Sequence, residues 1–243
     1  MGLKFIFILT ILLNTQINSY ANSNMKIKLN SPRFKETGLK TLLERRYSCR
    51  SFQERILNLD DIATILWATC GKKYDSVTGA TRTIPSAGAT YPLELYLVVG
   101  KNCVDKSRPS SNVILDSKEE RDKLKEGIYH YLIEEHSLGL VKGEDRKAEL
   151  ARACLGQDFI QQAPVSLVIA AKFQRTTTRY GGRGERYVNI EVGHACQNTY
   201  LAATNLGLAT VEIGAFSDEG VREVLGLERD FVPLSVMPIG YAE

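Results

Sequence analysis

The stretch Arg186–Phe216, RYVNIEVGHACQNTYLAATNLGLATVEIGAF, constrains this chain more than any other part of it. Helix formers and small residues run up to Asn205-Leu206-Gly207, where a glycine can end a helix in the left-handed region. The pattern predicts a long helix stopping at Gly207, a short strand over Thr210–Ile213, and a small-residue turn at Gly214-Ala215. A chain that leaves a strand at Gly-Ala can bring bare backbone N–H groups against a flat ligand, because no side chain intervenes. The same pattern also suits an ordinary helix–strand unit.

The chain has 243 residues, 44% of them hydrophobic, enough to bury a substantial core in one domain. Its formal charge of +3 is mild and no arginine-rich face stands out, which argues against nucleic acid as a partner. The five cysteines (Cys49, Cys70, Cys103, Cys154, Cys196) are scattered and form no CxxC pair. Such a pattern supports neither a zinc site nor a disulfide framework. The three histidines, His130, His136 and His194, form no close cluster in sequence, so no protein-held metal centre is expected.

The N-terminus differs in kind. Lys4 precedes a nine-residue run, Phe5–Leu13, that only Thr10 interrupts. A polar segment follows and ends in Ser19-Tyr20-Ala21, with small residues where a signal peptidase cuts. The expected organisation is a signal peptide over 1–24, a linker over 25–35 and one domain over 36–243. The protein is then exported if the signal is genuine, and cytoplasmic otherwise. An uncleaved anchor, or a true start at Met25, are the alternatives.

Periodicity predicts helices over 38–46, 60–70, 144–155 and 218–225, and strands over 93–99, 127–132, 165–171 and 234–239. Asn58 or Asp60 is the expected cap of the second helix. Residues 72–83 and 101–118 read as polar loops, and 173–185, rich in Thr, Arg and Gly, as a mobile one. Helices and strands mix without a regular βαβ alternation, which favours an α+β layer structure.

Three segments carry candidate chemistry. Arg46, Ser48 and Arg50 alternate, so in an extended chain their side chains share one side and can grip a phosphate through charge-assisted hydrogen bonds. A solvated basic helix end is the competing reading. Pro85-Ser86-Ala87-Gly88-Ala89 has no side chain larger than proline, so it can lie flat and offer backbone groups to a ligand edge, or simply turn before a strand. Glu212-Ile213-Gly214-Ala215-Phe216 can present a backbone N–H near Gly214 to a ring nitrogen, or end a strand. Together they suit a planar, phosphate-bearing cofactor, and neither a GxGxxG fingerprint nor a Walker lysine motif is present.

The motifs ERRYSCRSF, LDDIATILWATCG, RTIPSAGATYPLELYLVV, LARACLGQDFIQQAPV and RYVNIEVGHACQNTYLAATNLGLATVEIGAF follow one another in order. From about residue 36 onward the chain resembles the FMN-dependent nitroreductase family, and within it the SagB-type branch. The resemblance implies an α+β, three-layer fold with a mixed, largely antiparallel sheet flanked by helices. It also implies an intertwined homodimer with FMN at the interface. Arg46, Tyr47, Ser48 and Arg50 match the positions that hold the phosphate and ribityl chain, Tyr47 through its backbone only. Pro85, Ser86, Ala87 and Gly88 match the segment along the isoalloxazine ring. Ile213, Gly214 and Ala215 match the segment facing the ring from the other subunit's side, with the Gly214 N–H toward flavin N5.

The implied activity is transfer of hydride or electrons between a donor such as NAD(P)H and an organic acceptor. Flavin would supply the redox chemistry and the protein the positioning. The azoline oxidases of the branch act on peptides and use a Lys-Tyr pair. Here the matching pair is Arg186-Tyr187, and arginine cannot serve as a base. Tyr187 can still act, or the pair can simply anchor the helix. A peptide substrate is the alternative within the class, and an exported flavin-binding protein without turnover is the alternative outside it. Glu191 and Gln197 are further candidates for reaching the cofactor edge. Cys49 and Cys196 read as packing residues, and His194 as a packed or hydrogen-bonded helix residue.

Overall fold

A computed structural model of the protein describes residues 26–31, 38–77, 79–106 and 123–243. The expected signal segment lies outside the described residues. Within the expected linker, Lys26–Lys28 form an edge strand, β1. Helix α1 (Leu39–Arg45) follows, then β2 (Leu57–Asn58) and α2 (Leu59–Cys70). Asn58, not Asp60, caps α2: its side chain accepts the Asp60 N–H at 2.8 Å and satisfies one of the orphan donors of the first turn.

Residues expected to form a polar loop make a hairpin instead, β3 (Lys72–Asp75) paired with β4 (Gly79–Arg82). Its apolar side chains face water, Tyr74 at 83% and Val77 at 90% exposure, so the strands carry no buried stripe to reveal them. β5 (Leu93–Val99), β6 (Val104–Asp105), β7 (Lys123–Leu124), β8 (Gly127–Leu132) and β9 (Ser137–Lys142) complete the first half. The second half contains α3 (Lys147–Ala153), α4 (Phe159–Gln162), β10 (Val165–Ala171), α5 (Gln174–Tyr180) and α6 (Arg183–Asn205). It ends with β11 (Ala209–Thr210), α7 (Asp218–Leu225) and β12 (Val232–Gly240).

The main sheet has seven strands in the order β1-β9-β8-β5-β10-β12-β11, and every neighbouring pair is antiparallel. Parallel pairing occurs between β2 and β6 and at the Ser48–Thr210 bridge. Two helical layers cover the sheet, and the period of two along each strand sorts the side chains between them. Leu93, Leu95, Leu97 and Val99 of β5 join Val165, Leu167 and Ile169 of β10 in one cluster with α2 and α6. Tyr96, Val98, Val168 and Ala170 turn the other way, toward Leu150, Ile160 and Val221 of α3, α4 and α7. Each fully buried leucine or valine contributes roughly 1.5–3 kcal/mol. The nitroreductase-like three-layer α+β architecture expected from the sequence is the one observed.

The largest departure concerns residues 173–185. They form helix α5 and the first turn of α6 rather than a mobile loop. The Thr177 and Thr178 hydroxyls bond back to the carbonyls of Phe173 and Gln174, so these threonines are accommodated within the helix. Gly184 lets the two helices meet: a Cβ there would stand 2.8 Å from the Thr177 backbone.

Candidate active site

Two clusters form along α6. The first gathers at its C-terminal half. After α1 the chain turns extended at Arg46 (ψ 131°), and its N–H donates to the Leu42 carbonyl at 3.0 Å. Cys49 and Phe52 point inward, 5% and 2% exposed, and pack with Ala163 and Ala209. Those anchors leave Ser48 and Arg50 facing outward and Arg46 half-buried. The Cys49 N–H donates to Thr210 at 3.0 Å, which fixes the segment beside β11.

Tyr200 joins this segment to the Gly214 turn. It is 8% exposed, and its Oη accepts the Glu212 N–H at 2.7 Å. The same hydroxyl shares a hydrogen bond with Ser48 Oγ at 3.1 Å, and the Arg46 guanidinium lies 5.1 Å above its ring. The expected strand over 210–213 is therefore broken. β11 ends at Thr210, Glu212 gives its N–H to Tyr200, and the chain rejoins β12 only at the Ile213–Val236 bridge. Gly214 and Ala215 come off that bridge exposed.

The second cluster surrounds residues 85–91. Pro85 and Gly88 are exposed, and Ser86 and Ala87 half-buried. Left-handed backbone recurs at Gly88 (φ 60°), Ala89 (φ 53°) and Tyr91 (φ 45°). For non-glycine residues this costs about 1–3 kcal/mol each, and it persists only where the surroundings enforce it. Here α5 enforces it. Arg179 donates to the Gly88 carbonyl at 3.0 Å, Arg175 to the Tyr91 carbonyl at 3.0 Å, and Thr176 bonds Thr90 at 2.8 Å. Ser86 Oγ accepts the Tyr91 N–H at 3.0 Å.

Tyr187 stands beside this cluster, its ring edge-on to Tyr180 at 5.2 Å. Its hydroxyl accepts from Arg183 Nε at 3.0 Å. The basic partner of Tyr187 is thus Arg183, one helical turn earlier, while its sequence neighbour Arg186 is exposed. Among the described residues no hydrogen bond joins the two clusters. Glu191 and Tyr200, one in each, are nine residues apart on α6, about 14 Å along the axis.

Of the other candidates, Gln197 is exposed and Glu191 buried. His194, expected to be packed or hydrogen-bonded, is exposed on α6. Cys49 and Cys196 are buried, and burial pushes the Cys196 thiol up to about 12, so it stays neutral. Among the described residues no group of His, Cys, Asp and Glu is placed to hold a metal ion. The role of Tyr200 lay beyond sequence reasoning. The hint in the sequence was its place within the Arg186–Phe216 stretch, twelve residues before Glu212.

The residues present fit FMN. The Arg46 guanidinium and the Ser48 hydroxyl meet at Tyr200 and Arg50 is exposed nearby in sequence, a set of donors that suits a phosphate. Gly88 is an exposed cradle position, where a Cβ would collide with Arg179 and the Tyr180 hydroxyl. At Gly214 nothing stands within 4 Å of where a Cβ would be, so a flat ring could approach the backbone.

The nitroreductase family model matches residues 43–241. A candidate nitroreductase of Methanocaldococcus jannaschii is 41% identical over 218 residues, 89% of this chain and 96% of that protein. The microcin B17-processing protein of Escherichia coli is 28% identical over 162 residues, 65% of this chain and 54% of that protein. A crystal structure of a candidate nitroreductase from Ralstonia eutropha superposes with a TM-score of 0.70 at 25% identity, covering 90% of both chains. Matched span, relatives and fold agree, and the chain belongs to the nitroreductase family.

Proposed function

We propose that this protein is an FMN-dependent oxidoreductase that passes hydride or electrons from a donor such as NAD(P)H to a small organic acceptor. The observation that carries the reading is the Tyr200 cluster, which ties the half-buried Arg46 and the outward-facing Ser48 to the Glu212–Gly214 turn. Arg46, Ser48 and Arg50 hold the phosphate end, with Tyr47 contributing backbone. The Gly214 N–H, flanked by Ile213 and Ala215, faces the ring edge near N5. Pro85, Ser86, Ala87 and Gly88 line the ring. Bound FMN would supply the two-electron chemistry, and the protein the position and electrostatics.

The two clusters lie apart on one chain, which supports a site assembled in a homodimer. So does the open face of α6 and α1, where Ile190, Leu39 and Leu43 are 49%, 59% and 51% exposed. Likeness to the microcin-processing protein supports a second reading, dehydrogenation of a heterocycle in a peptide of the SagB type. In that reading Tyr187 handles the proton. The residues around it, Arg183 and Arg186, stay charged, so neither takes the part of a basic lysine.

The test is the visible spectrum of the purified protein before and after anaerobic NADH and NADPH. Flavin bands that bleach with one donor are the expected result. Bound flavin that neither donor reduces favours the peptide-oxidising reading or a flavin carrier without turnover. Protein that takes up no FMN overturns the proposal.

A further inference from the structure

Glu191 stands behind the 85–88 turn and is 3% exposed. Its helix-face neighbours Val188, Val192 and Ala195 are buried and apolar. Its carboxyl group lies against the Ser86 hydroxyl and the Ala87 backbone, and Oε1 has no hydrogen-bond partner among the described residues. The Ser86 oxygen accepts the Tyr91 N–H, so the carboxyl backs a residue that is itself tied into the strained turn.

The surrounding charged and titratable groups leave this carboxyl uncompensated. On α2, Cys70 lies within electrostatic reach, and its thiol, pushed up to about 12 chiefly by burial, stays neutral. Arg82 of β4 and Glu94 of β5 also act on Cys70. Glu94 is taken by His130 and Arg175, and Arg82 pairs with Glu134. On α5, Arg179 is engaged with Gly88, and Tyr180 packs on Tyr187. Among the described residues no ion pair reaches Glu191. Burial outweighs the opposing influence of Ser86 and Ala87 and pushes its carboxyl up to about 7.

We propose that Glu191 is a proton-linked positioning residue, which holds the Ser86–Ala87 turn from behind and takes up a proton when a planar cofactor covers the turn's outer face. The inference rests on the FMN reading above. Covering the turn replaces the water on its outer face with an apolar ring, and the lower dielectric around the already buried carboxyl favours its neutral form. The proton comes from solvent, and no electron moves in this step. A neutral carboxyl also gains an O–H with which to donate.

Calorimetric titration of the full-length protein with FMN, in buffers of different ionisation enthalpy, counts the protons. At about pH 8 a phosphate monoester, with its second ionisation near ~6, is a dianion free and bound and contributes none. Wild-type protein is expected to take up a fraction of a proton per FMN there, and Glu191→Gln none. Wild-type affinity should fall about tenfold between acidic and alkaline pH for each unit by which the cofactor raises the carboxyl group. Binding without proton uptake, or equal uptake in Glu191→Gln, overturns the inference and leaves the FMN reading standing. Absence of FMN binding at every pH overturns both. If Glu191→Gln does not fold, the wild-type count at alkaline pH decides.

Discussion

Tyr200 Oη accepts the backbone N–H of Glu212 at 2.7 Å, a side chain replacing the sheet partner that β12 does not supply there. One phenol therefore sets where the exposed Gly214 turn begins. Because the same hydroxyl meets Ser48 and the same ring lies under Arg46, both ends of the cluster depend on it. Tyr200→Phe keeps the ring and leaves the Glu212 N–H without its acceptor. A loss of about 1–2 kcal/mol in thermal or denaturant unfolding is expected, together with weaker FMN binding in a fluorescence titration.

Arg46→Ala and Arg50→Ala test the phosphate grip separately from the fold. Arg50 is exposed and Arg46 half-buried. Each charge-assisted contact is worth about 1.5–3 kcal/mol, or roughly ten- to a hundredfold in affinity. FMN binding should weaken by that amount in each variant. Riboflavin, which lacks the phosphate, should bind the variants and the wild type alike.

Gly88→Ala tests the strained turn. Alanine at φ 60° is unfavourable, and its Cβ would displace Arg179 from the Gly88 carbonyl. The expected cost is about 1–3 kcal/mol. Hydrogen exchange should speed up at residues 86–91, while the strands of the main sheet remain protected.

Glu191 gives the stability curve its sign. A carboxyl raised to about 7 in the folded protein binds more protons there than in the unfolded chain. Its stabilising contribution is therefore complete at acidic pH and is lost as pH rises from the ordinary carboxylate range through about 7. The loss is of the order of 3 kcal/mol. Denaturant melts of Glu191→Gln across this range should lack that decline.

Arg183 and Arg186 are told apart by Tyr187. Arg183→Ala removes the donor to the Tyr187 hydroxyl, whereas Arg186→Ala removes an exposed charge. If Tyr187 handles a proton, Tyr187→Phe and Arg183→Ala should lower the steady-state rate at saturating FMN by about tenfold or more. Arg186→Ala should stay near wild type.

Strands 93–99, 127–132 and 165–171 and helix 218–225 stand in the structure with the bounds that their patterns predict. Most of their apolar side chains are buried, so the period of the fold is written in their hydrophobicity. The hairpin 72–82 and helix α5 escaped that reading for the opposite reason. Tyr74 and Val77 face water, and Thr177 and Thr178 bond their own backbone, and neither leaves a period to read.

The sequence by itself determined the layers of this protein, the family, and the three short segments suited to a flat, phosphate-bearing ligand, since each depends on residues close together in the chain. Tertiary structure alone decided that Tyr200 binds the Glu212 turn, that Arg183 rather than Arg186 serves Tyr187, and that Glu191 lies behind Ser86. Those relations depend on which face of α6 each residue occupies and on what packs there. A hydrogen bond a few ångströms long is decided by that packing, and local residue pattern does not encode it.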